Sequence, residues 1–415
     1  MKILIKNIKQ LVQVEEVPRL KVSGKDMKQL PCIADAWLAL EDDKIVGFGR
    51  MEDWEGIADW TNLTVVDATD KLVLPCYCDS HTHIVYAGSR EGEFVDRING
   101  LTYEEIFSRG GGIINSSNKL RAASEDELVE SAMTRLNEII HLGTGAVEIK
   151  SGYGLTLESE LKMLRVIKKL KTLSPLTIKA TFLGAHAVPI EYKGRKGDYI
   201  KLIIDEMMPA IAEEKLADYC DVFCEQNYFT TEETLEILTA GKKHGMTPKA
   251  HAEQLSKSGG VLAGIKAGAI SVDHLEYVGD AEIAALLNSE TMPTILPGAA
   301  FFLSLPFPPA RKMMDSGLPV AIASDYNPGS SPSGNMNQMI SISCIQYKMT
   351  PEEAINAATI NSAYAMGLSE TNGSIAIGKQ ANVFITKEIP SYNFIPYSFG
   401  SNLIEQVIIN GQIIV

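Results

Sequence analysis

The chain has 415 residues, 45% of them hydrophobic, which is enough to bury a sizeable core. Its net charge is −14, and no basic run breaks that balance. A nucleic-acid backbone would be repelled, and an anionic small molecule would need a local cation to be held.

The N-terminal residues, Met1 to Val12, lack a long apolar stretch and a small-residue cleavage site, so no signal peptide is expected. No run of about 18 uncharged apolar residues predicts a membrane span. The first 70 residues read as short strands and turns. Ala36-Trp-Leu-Ala-Leu and Ile45-Val-Gly-Phe-Gly flank Glu41-Asp-Asp-Lys as a hairpin, and Thr64-Val-Val-Asp-Ala and Leu72-Val-Leu-Pro continue the β pattern. Cys76 and Cys78 lie two apart on an apparent strand and are expected on one face of it. The six cysteines form no dense framework. They read as reduced core thiols, with a zinc knot from Cys76, Cys78, Cys220 and Cys224 as the alternative.

After Cys76 the pattern changes. Strand-like runs Gly145–Lys150, Leu176–Leu183, Tyr219–Cys224, Pro248–His251, Ser271–His274, Met292–Pro297 and Val320–Asp325 follow one another. Helical periodicity separates several of them, over Leu157–Leu170, Thr231–His244, Gly259–Ala267 and Asp280–Leu287. With a strand ending at Ser80 there are eight, the number that closes a parallel (β/α)8 barrel. The chain then turns β again, over Ser374–Ile385 and Glu405–Val415, with Asn410-Gly411 as a hairpin signal. The reading is a barrel of residues 75–369 beside a small composite β-sandwich built from both termini, residues 1–74 and 370–415.

Of seven histidines, five (His81, His83, His186, His251 and His274) sit at or just past predicted strand ends, the barrel face where active sites form. His81 and His83 alternate on one strand and can share one ion. His141 and His244 follow helical stretches and are expected to be structural. Asp325 ends an apolar strand and is followed by Tyr-Asn-Pro-Gly, which does not favour a helix start. A buried aspartate there needs a charge partner, hydrogen bonds or a metal. Three histidines with this aspartate make a nitrogen/oxygen set suited to zinc or iron. The run Arg109-Gly-Gly-Gly lacks the lysine and strand–loop–helix setting of a phosphate loop and reads as a loop near the site.

Asp79-Ser-His-Thr-His, with His251, His274 and Asp325 at strand ends, resembles the amidohydrolase superfamily. Pro351-Glu-Glu-Ala-Ile-Asn-Ala-Ala-Thr followed by Gly373-Ser-Ile-Ala-Ile-Gly-Lys is similar to its C-terminal signature. The resemblance extends over nearly the whole chain to the branch that opens the imidazolone ring in histidine degradation. Its marks are the run from His81 to Phe94, Arg109-Gly-Gly-Gly-Ile, Glu148-Ile-Lys-Ser-Gly-Tyr-Gly-Leu, Phe182-Leu-Gly-Ala-His-Ala-Val-Pro and Asp325-Tyr-Asn-Pro-Gly.

This resemblance implies a (β/α)8 barrel with a composite sandwich, a homodimer, and one Zn²⁺ or iron ion per chain on His81, His83, His251 and Asp325, while the cytoplasmic location is expected from the reduced thiols and the lack of a signal peptide. Relatives with two metals carry a carboxylated lysine at the end of the fourth strand. Here His186 stands past the run matched to it, which implies a single metal. The implied reaction is hydrolysis of the cyclic amide of 4-imidazolone-5-propanoate, a small anion, to N-formimino-L-glutamate. His274 and Asp325 are the implied catalytic residues, with Arg90, Tyr153, His186, Gln254, Asn327, Gly329 and Ser330 contacting substrate. Position 254 is often glutamate in this branch, so Gln254 leaves that residue's proton-transfer role without its carboxylate. A related purine or pyrimidine deaminase and a non-catalytic scaffold are the alternatives. The first is opposed by Gln254, the second by the complete set of metal residues.

Overall fold

The computed structural model describes residues 1–415 except 57–60, 102–104 and 106–110. Arg109 and Gly110 of the glycine run therefore lie outside the described residues. Five strands open the chain: β1 (Lys2–Val12), β2 (Cys32–Glu41), β3 (Lys44–Arg50), β4 (Leu63–Asp67) and β5 (Leu72–Pro75). The barrel strands follow as β6 (Tyr77–Thr82), β7 (Thr144–Lys150), β8 (Thr177–Ala185), β9 (Tyr219–Cys224), β10 (Thr247–Ala252), β11 (Ser271–His274), β12 (Met292–Ile295) and β13 (Ala321–Ile322). The last strands are β14 (Val383–Thr386), β15 (Ile404–Ile409) and β16 (Gln412–Ile413).

Strands β6 to β13 pair in chain order, each parallel to the next. Beyond the short β13 the chain meets β6 again. The Asp325 N–H donates to the His81 carbonyl at 3.0 Å and the His83 N–H to the Tyr326 carbonyl at 2.9 Å. This nearly closed barrel brings His81, His83 and Asp325 to one rim. Helices with buried apolar faces cover its outside, among them Leu157–Leu173, Thr231–Lys243 and Asp280–Leu287.

The second sheet runs β16-β15-β14-β5-β1-β2-β3, with β4 also on β1, and so joins both ends of the chain. The residues of β1 from Lys2 to Lys6 pair with β4, and Gln10 and Leu11 pair with β5, so one long strand serves two partners on the same side. Ile3, Ile5, Leu38 and Val73 from the N-terminal segment share a buried cluster with Val383, Ile385 and Ile408 from the C-terminal one.

Three expected strands differ. Cys76 falls between β5 and β6, where the chain passes from one sheet to the other. Its N–H donates to the Asn382 carbonyl, and the two cysteines enter separate apolar clusters. The strand expected over Val320–Asp325 shrinks to Ala321–Ile322, because Asp325 takes φ 55° and turns the chain inward. The strand expected over Ser374–Ile385 forms only at Val383–Thr386. Gly378 has φ 86°, and Ile375 makes an isolated bridge to Val14.

Candidate active site

His81, His83, His186, His251, His274 and Asp325 converge at the barrel rim. The His81 ring centroid lies 5.3 Å from that of His83, 4.4 Å from His251 and 5.4 Å from His274. Asp325 Oδ1 stands 3.5 Å from His81 Nε2 and 3.6 Å from His83 Nε2. All of these residues but His186 are buried, which is costly for isolated polar groups.

The histidines are held from behind. His81 Nδ1 contacts Asp273 Oδ2 at 2.7 Å, and His251 Nδ1 contacts Asp221 Oδ1 at 3.1 Å. A carboxylate only accepts, so each Nδ1 carries the proton and each Nε2 lone pair is turned inward. Neither Nε2 has a hydrogen-bond partner among the described residues, nor does His83 Nδ1. Burial, then neighbouring positive charge, pushes the pKa values of His81 and His83 well below the ordinary histidine value, so both rings are neutral donors.

This set fits a metal ion. Two trios, His81 with His83 and Asp325, and His81 with His251 and His274, each bring one donor atom per residue within 4.8 Å of the others. Ligands about 2.0–2.2 Å from a tetrahedral ion are roughly 3.3–3.6 Å apart, which matches the Asp325 spacings. Neither trio contains a cysteine, and all six thiols are free.

His274 stands beside this group with φ 88°, followed by Leu275 at φ 73°. His186 Nδ1 lies 3.1 Å from the Gly152 carbonyl, and its ring stacks on His83 at 5.4 Å. Burial lowers the His186 pKa to about 3, so the ring is neutral, with Nε2 as an acceptor. His186 follows β8, the third barrel strand, and not the fourth as expected. The fourth, β9, ends at Cys224-Glu225 with no lysine. Tyr153 is buried, with its ring 5.8 Å from His83. His141 and His244 lie at helix ends away from the rim, the former bonded to the Asn137 carbonyl.

Asn327 is occupied with its own loop. Its Nδ2 donates to the Asp325 carbonyl and to Ser330 Oγ, while its Oδ1 accepts the Gly329 and Ser330 N–H groups. Ser330 Oγ in turn donates to Asp325 Oδ2 at 2.9 Å. Gly329 leaves room for Arg90, since a Cβ there would come 2.3 Å from Arg90 Nη1. The Arg90 Nε donates to Glu93 Oε2 at 2.8 Å, so one edge of its fork is paired within the chain. Gln254 is buried, while Glu253 Oε2 turns away to accept the Val261 N–H of a helix start.

Below the rim lies a charged layer that sequence reading missed. Lys150 Nζ lies 2.6 Å from Glu148 Oε1, 2.7 Å from Asp221 Oδ2 and 3.7 Å from Asp273 Oδ2. Lys249 also bonds Glu148, and donates to the Ser80 carbonyl at 3.1 Å. Burial alone would favour neutral Lys150, yet Asp221, Glu148 and Asp273 hold its pKa above the ordinary lysine value. The available signal was the presence of charged residues inside strand runs that otherwise read as apolar.

The arrangement is a buried polar cup that can hold a hard-to-borderline metal, orient a water and bind a small polar molecule. Residues 72–414 match the amidohydrolase family. A protein of Flavobacterium johnsoniae named imidazolonepropionase is 60% identical over 412 residues, covering 99% of each chain. One of Christiangramia forsetii with the same name is 58% identical over 415 residues, covering 100% of each. Among solved structures, 5-methylcytosine deaminase from Klebsiella pneumoniae superposes with a TM-score of 0.73 at 15% identity, covering 100% of this chain and 97% of that one, a likeness of fold. The chain belongs to the amidohydrolase family and, within it, to the imidazolonepropionase branch.

Proposed function

We propose that this chain hydrolyses the cyclic amide of 4-imidazolone-5-propanoate to N-formimino-L-glutamate, a step of histidine degradation. The observation that carries the reading is the pair of donor trios, His81 with His83 and Asp325 and His81 with His251 and His274, in a chain 60% identical to a protein named for this activity. His81, His83, His251 and Asp325 would hold one zinc or iron ion, which when bound activates water and polarises a carbonyl.

The chain's own groups account for the rest. Asp325, buried at the rim, accepts the proton of the attacking water and delivers it to the ring nitrogen as the C–N bond breaks. His274 donates a hydrogen bond to the oxygen that gains charge. The free edge of Arg90 pairs with the propionate carboxylate, with Tyr153, His186, Gln254 and the loop Asn327–Ser330 completing the pocket. Deamination is disfavoured because position 254 carries an amide and the neighbouring Glu253 faces away.

Homodimer assembly and a cytoplasmic location belong to the same reading, which sedimentation and cell fractionation check. No helix among the described residues is long and apolar enough to cross a membrane.

The test is purified protein with synthetic imidazolone propionate and detection of formiminoglutamate. His274→Ala is expected to lower turnover about 10²- to 10³-fold while keeping its metal. Loss of the metal from that variant would make His274 a ligand instead.

A further inference from the structure

Glu276 is a buried carboxylate that the proposed chemistry does not use. Its side chain is 0% exposed, and neither oxygen has a hydrogen-bond partner among the described residues. Such a group is costly unless it serves a purpose, and burial drives its pKa well above the ordinary carboxylate value. The nearest complementary atom is His274 Nδ1, 3.7 Å from Glu276 Oε1, and that nitrogen is also without a partner. Two unsatisfied buried groups face each other across less than one ångström beyond bonding distance.

The backbone is bent to bring them together. Residues two apart on a strand would share a face but be separated by the strand's rise. Here His274 and Leu275 both take positive φ, 88° and 73°, a conformation side-chain-bearing residues rarely adopt. The turn is pinned to the strand that carries His251, through the Leu275 N–H on the Ala252 carbonyl at 3.1 Å and the Tyr277 N–H on the Glu253 carbonyl at 2.8 Å. Strain at two consecutive residues together with two unsatisfied polar groups marks a constrained functional site.

We propose that Glu276 is the positioning residue of His274, its carboxyl group donating a hydrogen bond to Nδ1 and so leaving the proton on Nε2, where it can be donated toward the substrate. The direction is the reverse of that at His81 and His251, where Asp273 and Asp221 accept from Nδ1–H and leave the Nε2 lone pairs for a metal. A protonated carboxyl group behind an imidazole fixes the Nε2–H tautomer and so aims a donated hydrogen bond at the place where charge develops in front. The role of His274 toward the substrate rests on the function proposed above, whereas the pairing itself does not.

The experiment compares zinc-loaded wild type, Glu276→Gln and Glu276→Leu. Histidine-selective ¹⁵N NMR is expected to show His274 protonated at Nε2 in the wild type and changed in Glu276→Leu, with the other histidines unmoved. Turnover is expected to fall about 10- to 100-fold in Glu276→Leu with KM and zinc content held, and to stay near wild type in Glu276→Gln, whose amide N–H can replace the donor. The thermal midpoint should stay level in Glu276→Gln, which keeps both the shape and a hydrogen bond to His274 Nδ1. In a His274→Ala background neither substitution should lower turnover further. An unchanged His274 signal, or equal losses with and without His274, overturns the proposal. Absence of imidazolone hydrolysis in the wild type would strike the proposed function alone, since the NMR comparison reads the pairing independently.

Discussion

Asp273 stands directly behind His81, and replacing it shows what a carboxylate at that place contributes. Asp273→Asn keeps the shape but can present an N–H where His81 Nδ1 needs an acceptor. Metal affinity is expected to fall about 10- to 100-fold, read by chelator competition; an unchanged affinity would show that the pair does not orient His81. Gly329 acts on the substrate side. Gly329→Ala places a Cβ 2.3 Å from Arg90 Nη1 and displaces the guanidinium, at small cost to stability because that group is the end of a flexible side chain. A raised KM for imidazolone propionate with a near-normal melting midpoint is expected, and an unshifted KM would mean that Arg90 does not read the carboxylate. The residues at strand ends were legible because a histidine or aspartate closing an apolar run is chemically conspicuous. Asp221, Asp273, Lys150 and Glu276 were not. A barrel interior buries both faces of a strand's neighbourhood, so alternation does not reveal which charges meet across eight strands. Glu276 is placed by a backbone turn that has no pattern in sequence.

At the scale of elements, the helix Asp280–Leu287 and the strands Tyr219–Cys224 and Ser271–His274 have the bounds that periodicity predicts. Short strands went wrong where tertiary contacts set their length, as at β13, which is cut off by the turn that delivers Asp325. The C-terminal hairpin was legible from two residues. Asn410 and Gly411 take φ 50° and 69°, the two positive values a tight hairpin turn demands. The structure adds why only glycine serves at the second position. A Cβ on Gly411 would come 1.6 Å from the Asp42 carbonyl oxygen, in the turn of the N-terminal hairpin. Gly411→Ala is therefore expected to cost more than about 1 kcal/mol in denaturant unfolding, through strain at the junction of the two termini. An unaltered denaturation midpoint would show that the two hairpins part freely.

Over the whole molecule, the metal-facing histidines, the barrel interior and the stability of the chain are tied through one cation. Lys150 lies between Glu148, Asp221 and Asp273, and two of these carboxylates each hold a histidine of the cup. A buried charge of this kind stabilises only in company, and removing one member leaves the others uncompensated. Lys150→Met is expected to destabilise the fold by about 3–5 kcal/mol in urea titrations followed by circular dichroism. It should weaken metal binding as well, since both supporting carboxylates lose their common partner. Lys150→Met combined with Asp221→Asn removes one cation and one anion together, so part of the stability should return. Metal affinity should not, because Asp221 is the acceptor of the His251 Nδ1–H among the described residues. Stability and metal affinity thus separate in the double variant. If both return together, the layer serves only charge balance; if the single variant is as stable as the wild type, Lys150 does not hold the layer at all.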